Sequence, residues 1–190
     1  MARRKGIIKF VSIILIFVLA VGIAGGFGYK LFLKWQYPLK ETELVEKYAT
    51  EYNIDKNLLY ALIKTESGFD RSAESNAGAI GLTQITEETF MWLLTKTGED
   101  RKFEDLYDPE VSIKYGALFI SMLLDEFGDV STSIAAYHAG RGRVDSWLKN
   151  SEFSDDGKVL NNIPISDTSH YVYKVTKAMN MYANLYDSQS

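Results

Sequence analysis

Cysteine is absent from the 190-residue sequence, histidine occurs only twice, and no stretch shows the apolar–polar alternation of a half-buried strand. The first absence excludes disulfide scaffolds, thiolate zinc sites and cysteine nucleophiles together, and it leaves stability to side-chain packing. It assigns no compartment, because exported bacterial proteins also do without disulfides. With two histidines, a metal site has no obvious set of ligands. Basic charge is scarce in the body of the chain. Of 21 Lys and Arg, seven fall in residues 1–40, which hold no acid, so the other 14 face 25 acidic residues and the remainder carries −11. Binding to a phosphate backbone relies on Lys and Arg, so nucleic acid is set aside as a partner.

The N-terminus, by contrast, has a long apolar run. Phe10 to Tyr29 are twenty residues without a charged side chain. At about 1.5 Å per residue, that is the length a helix needs to cross the hydrocarbon layer. The expected organisation is a basic cytoplasmic start over residues 1–9, a transmembrane helix over 10–29 and a linker over 30–41. One folded domain then spans 42–186, with a tail over 187–190. Arg3, Arg4, Lys5 and Lys9 precede the run more densely than Lys30 and Lys34 follow it. This bias keeps the N-terminus in the cytoplasm and puts the acidic domain outside a single-pass membrane protein. The alternative is a signal peptide cleaved near the small residues between Ala20 and Gly26, which exports the domain equally.

After Trp35, Tyr37 and Pro38, an interfacial anchor and linker, helical spacing continues nearly to the C-terminus. Leu44, Val45, Tyr48 and Tyr52 mark a first helix. Asp55 caps a second that carries Leu58, Leu59, Leu62 and Ile63 and stops at Gly68. Thr86 caps a third, with Glu87 and Glu88 in its first turn. Asp108, Pro109 and Gly128 bound a long fourth helix. Shorter helices follow from about Asp129 to Tyr137 and from Arg143 to Lys149. A polar loop over 150–166 leads to a last helix with Asp167 as its expected N-cap. The predicted fold is an all-α globule of six or seven helices.

One residue stands out chemically. Glu66 follows Ile63, Leu62 and Leu59 by three, four and seven positions, so it shares their apolar face. It is also near the helix C-terminus, where the dipole disfavours negative charge. Desolvation and dipole together push a carboxyl pKa upward, as a general acid working near neutral pH requires. The competing reading pairs Glu66 with a basic residue or a neighbouring backbone. The loop that follows, Ser75 to Gln84, combines permissive glycines with short polar side chains and suits close approach of a bulky ligand. Ala135 to Gly140 end a helix with Tyr137 and His138, which can form one wall of a groove.

Taken together these segments resemble the soluble lytic transglycosylase domain, a lysozyme-like family that cuts peptidoglycan between N-acetylmuramic acid and N-acetylglucosamine. The family's Glu-Ser pair matches Glu66-Ser67, and its Ser-x-x-Gly-Ala-x-Gly-Leu-Met-Gln loop matches Ser75 to Gln84, with Thr83 in place of Met. Its Ala-Tyr-Asn-Ala-Gly segment matches Ala136 to Gly140, with His138 in place of Asn. Its Glu-Thr-x-x-Tyr-Val segment matches Asp167 to Val172, with Asp in place of Glu. The resemblance implies a lysozyme-like helical fold, Glu66 as the one acid/base, and a 1,6-anhydro product without cofactor or metal. By the same resemblance Ser75, Gln84, Tyr137, His138, Asp167 and Tyr171 hold the glycan, and envelope or secretion machinery is a partner class it allows. Two alternatives remain: a hydrolytic muramidase of the goose-type kind, and a non-catalytic wall-binding scaffold.

Overall fold

The computed structural model describes residues 19, 21–22 and 24–187. These fall into two compact units, one ending at Pro38 and one beginning at Leu39. In the first, residues 24–36 are helical, and Phe27, Leu31, Phe32 and Trp35 are exposed. Most of the expected span over 10–29 lies outside the described residues, as do residues 1–9 and 188–190. Among the described residues, no helix is long and apolar enough to cross a membrane.

The second unit is built of helices joined by loops. Its α-helices are α1 (Thr42–Glu51), α2 (Lys56–Glu66), α3 (Glu87–Thr97), α4 (Pro109–Phe127), α5 (Val130–Ala139), α6 (Arg141–Leu148) and α7 (Ser166–Tyr182). A 3-10 turn, Phe103–Tyr107, precedes α4, and a π-helical turn, Ala183–Asp187, extends α7. The sequence pattern flagged neither short turn, since a single turn holds too few residues for a periodic signal.

Local chemistry sets the boundaries. Asp55 accepts from the Asn57 amide at 2.8 Å, Asp108 from Glu110 at 2.8 Å and Asp129 from Thr132 at 2.7 Å, each satisfying an orphan N–H of a first helical turn. Pro109 occupies the first turn of α4, where its missing N–H costs nothing. Asp167 departs from expectation. Helix α7 starts at Ser166, with Ile165 at the cap position and no side-chain capping bond, so Asp167 stands inside the first turn instead. There its charge complements the helix dipole without closing a backbone hydrogen bond.

The core forms where α2 packs on α7 and α4 runs between α1, α3 and α5. Leu58, Leu59, Leu62 and Ile63 of α2 are fully buried, and each such side chain contributes roughly 1.5–3 kcal/mol through removal from water. Tyr60 of α2 stacks on Tyr182 of α7 at 5.1 Å between centroids. Phe90 of α3 meets Tyr115 of α4 edge-on at 4.8 Å. The α2–α7 packing brings the C-terminal end of α2, with Glu66, against the first turns of α7.

Candidate active site

Glu66 is the last residue of α2. Its neighbours Leu62 and Ile63 are wholly buried, and Glu66 is itself half-buried beside them. Burial therefore raises its pKa from 4.5 to about 7, against a hydrogen bond from Tyr171 that favours the charged form. The Tyr171 hydroxyl donates to Glu66 Oε1. Tyr171 is only 7% exposed, and burial together with the nearby carboxylate holds its phenol protonated. At neutral pH the site thus keeps a carboxyl poised between its two protonation states, with a fixed donor on one oxygen.

The loop between α2 and α3 is held beside this carboxyl by a set of specific ties. Ser67, next to Glu66, donates through Oγ to Leu82 O at 2.9 Å, joining the helix end to the loop. Gly81 has φ +77°, and a Cβ there would come within 2.1 Å of Leu106 O, so only glycine fits. Gln84 adopts φ +48°, and its own Nε2 secures that conformation by donating to Ala73 O at 2.9 Å and Gly81 O at 3.0 Å. Ser75 organises the tight turn before it: its amide donates to Ala79 O at 2.9 Å, and its Oγ accepts from the Ala79 amide at 3.0 Å. Isolated bridges from Ile80 to Glu74 and Ile85 complete the frame.

Thr83 is fully buried. Its Oγ1 donates to Ser112 O at 2.8 Å, and its side chain packs against Gly116 of α4, where any Cβ would collide with it. The departure from the family pattern at Thr83 is therefore accommodated in packing between loop and α4, not at a surface that meets ligand. Tyr137 also serves the loop: its hydroxyl donates to Thr83 O at 2.7 Å while its ring lies 4.9 Å from Phe119.

A cleft of about 380 Å³ opens over Glu66, lined by Thr65 and Glu66 of α2, His138 of α5, and Asp167, His170, Tyr171 and Lys174 of α7. Of the residues expected at the site, Glu66, His138, Asp167 and Tyr171 line this cleft together; Tyr137 stands behind it, its phenol pKa raised by burial and by the nearby charge of Glu66, and Ser75 and Gln84 are outside its walls. His138 stacks on Tyr171 at 4.4 Å, and its Nδ1 lies 3.2 Å from Thr168 Oγ1. Burial lowers the His138 pKa, opposed by the charge of Asp167, so the ring is mainly neutral at pH 7. His170 and Lys174 escaped the reading of the sequence. Lys174 was findable, because it follows Tyr171 by three positions and so shares its side of α7. Among the described residues, no group of three or more His, Cys, Asp or Glu is arranged to hold a metal ion.

The geometry is that of an all-helical domain with one proton-holding carboxyl in an open cleft, framed by a glycine-dependent loop. The Transglycosylase SLT domain family model matches residues 43–160, most of the body, and the chain belongs to that family. It is 32% identical over 148 residues to the soluble lytic murein transglycosylase of Escherichia coli strain K12, a match covering 75% of this chain and 23% of that protein. It is 30% identical over 165 residues to the membrane-bound lytic murein transglycosylase C of Actinobacillus pleuropneumoniae, covering 75% of this chain and 45% of the relative. Among solved structures, the 70-kDa soluble lytic transglycosylase of E. coli superimposes with a TM-score of 0.71 at 28% identity, over 80% of this chain and 25% of that one. An inactive Glu-to-Gln mutant of the Pseudomonas aeruginosa lytic transglycosylase Slt superimposes equally well. The chain thus spans about a quarter of the length of the soluble relatives it matches.

Proposed function

We propose that the protein is a peptidoglycan lytic transglycosylase, cleaving the β-1,4 bond between N-acetylmuramic acid and N-acetylglucosamine and leaving 1,6-anhydro-muramic acid ends. The observation that carries this reading is the Glu66 carboxyl, raised to about 7 by burial and held by Tyr171 in an open cleft. Protonated Glu66 donates to the glycosidic oxygen as the C1–O bond breaks, and the muramic acetamido group supports the positive charge at C1. The resulting carboxylate takes the proton of the sugar's own 6-hydroxyl while O6 bonds to C1. Glu66 ends protonated and no water is consumed. A group required as acid and then as base works best with a pKa near the ambient pH, which burial supplies here. That a Glu-to-Gln change yields an inactive mutant in the P. aeruginosa neighbour supports an essential glutamate.

His138, Asp167 and Tyr171 line the cleft and are assigned to sugar contacts there, whereas Ser75, Gln84 and Tyr137 act by shaping the loop that borders it. The anchoring helix over 10–29 belongs to the same proposal, with the catalytic domain outside the membrane. Its support is the twenty-residue uncharged run and the basic residues before it. Digestion of purified sacculi by the detergent-solubilised full-length protein, with mass analysis of the products, tests the reaction. Anhydro ends support it, reducing ends would make the protein a hydrolytic muramidase, and no release would leave a wall-binding scaffold.

A further inference from the structure

Asp167, Tyr171 and Lys174 are spaced by four and three residues, so they run along one stripe of α7 beside the cleft. Seven residues advance a helix by about 10 Å. Asp167 and Lys174 therefore mark opposite ends of one wall, with Tyr171 and the Glu66 carboxyl it holds between them. The two ends differ in charge. Asp167 acts electrostatically on His138 at one end, and the ammonium of Lys174 stands at the other with His170 on the preceding turn. No carboxylate among the described residues pairs with Lys174, although the body carries −11 overall. An unpaired cation at the rim of a cleft in an acidic protein is placed to meet an anionic group of the ligand.

We infer that Lys174, assisted by His170, is a carboxylate-binding subsite of this cleft. On the glycan-cleaving reading above, on which this rests, the carboxylate is borne by the arm on O3 of muramic acid: a carboxyl of the attached peptide or, where no peptide is attached, the free lactyl carboxyl. Sugar without that arm offers Lys174 no partner. The subsite orients the strand, because the arm is drawn to the Lys174 end and repelled from Asp167. This fixes which sugar presents C1 to Glu66.

Binding of soluble, uncrosslinked glycan strands to the full-length protein in detergent tests this, with Glu66→Gln as the background so that strands are not consumed. Three forms of strand are compared: stem-bearing, stem-bearing with every carboxyl converted to the amide, and stripped of peptide to leave the lactyl carboxylate. Amidation should weaken binding about two- to five-fold at low salt, the scale of an exposed ion pair, and the difference should shrink as salt rises. Adding Lys174→Gln should remove the discrimination and Lys174→Arg should retain it. Lys177→Gln, which changes an exposed lysine of the same helix that stands over Tyr173 and outside the cleft, should also retain it. Amidation of stem-bearing strands reads the peptide carboxyls alone, since the lactyl carboxyl is already an amide there; stripped strands that bind through Lys174 add the freed lactyl carboxyl as an occupant, and their failure to bind confines the contact to the peptide. Unchanged discrimination in Lys174→Gln, or a Glu66→Gln background that neither discriminates against amidated strands nor binds stripped strands through Lys174, overturns the subsite. Strands that bind with discrimination but yield no cleavage products with the parent protein overturn the proposed reaction and leave the subsite standing.

Discussion

Replacing Glu66 by Gln keeps the shape of the side chain, lets its amide still meet the Tyr171 hydroxyl, and removes only the transferable proton. The displacement from 4.5 to about 7 corresponds to about 3 kcal/mol, at about 1.4 kcal/mol per pKa unit, for ionising Glu66 in the folded protein. Because the folded pKa lies above the unfolded one, folding takes up a proton between them. The associated stability is fully present below about pH 4.5 and is lost as pH rises through about 7. Glutamine has nothing to lose over that range. Relative to the parent, Glu66→Gln should therefore gain up to about 3 kcal/mol of stability on going from pH 5 to pH 8.5, the pH-independent cost of burying an amide cancelling from that change. Urea denaturation of both proteins at the two pH values reads this difference directly. Activity should move the opposite way: loss of general acid–base catalysis costs about 10²–10⁴ in rate, measured as muropeptide release. The parent's own rate should decline through about pH 7 as the acid form is lost. A stability difference that does not change with pH would mean that the carboxyl is not desolvated as the fold indicates. Release at near the parent rate by a folded Glu66→Gln protein would remove Glu66 from the chemistry.

Tyr171→Phe deletes the one hydrogen bond that favours the Glu66 carboxylate, so the fall in activity at high pH should move upward by roughly one unit; a downward move would contradict the assigned bond. Gly81→Ala forces a Cβ to within 2.1 Å of Leu106 O at a positive φ and should cost roughly 1–3 kcal/mol or more, visible as a lowered Tm; an unchanged Tm would show that the loop is not anchored there. Asp167→Asn removes the charge that raises the His138 pKa, so the His138 NMR titration should shift to lower pH, and cleavage should fall without vanishing. Complete loss of turnover in a folded Asp167→Asn protein would make Asp167 a second catalytic carboxylate.

The helices and the placement of Glu66 beside the core were legible in the sequence because the signals that specify them are local. An N-cap such as Asp108 ahead of Pro109, or a glycine such as Gly128 at φ +67°, acts on the turn beside it, and the i, i+3, i+4 spacing that buries Leu62 and Ile63 also carries Glu66 toward the core. Asp167 shows where local reading is weakest. Asp167 and Ser166 both suit a helix start, and which one caps depends on how the preceding loop approaches; in the structure neither supplies the cap. The cleft was only partly legible. That His170 and Lys174 face Glu66 depends on the packing of α7 against α2, across a separation of about a hundred residues that no short pattern reports.

The loop residues reveal a different limit, because one motif can hold residues with opposite duties. Ser75, Gly81, Thr83 and Gln84 stand within ten positions, yet Ser75 Oγ and Gln84 Nε2 bond to the loop's own backbone, Thr83 Oγ1 bonds to α4, and none of the four lines the cleft. Within the proposed function their part is mechanical: they fix a strained loop so that Leu82 O can receive Ser67 and hold the end of α2, where Glu66 stands. The two departures from the family pattern then differ in kind. Thr83 replaces a longer side chain in a sealed pocket against Gly116, so its effect is on loop stability. His138 lines the cleft and stacks on the ring that holds Glu66, so within the proposed function its effect falls on ligand and pH dependence. A buried carboxyl can be kept near pH 7 only while its surroundings exclude water, and that exclusion belongs to the frame as much as to the acid.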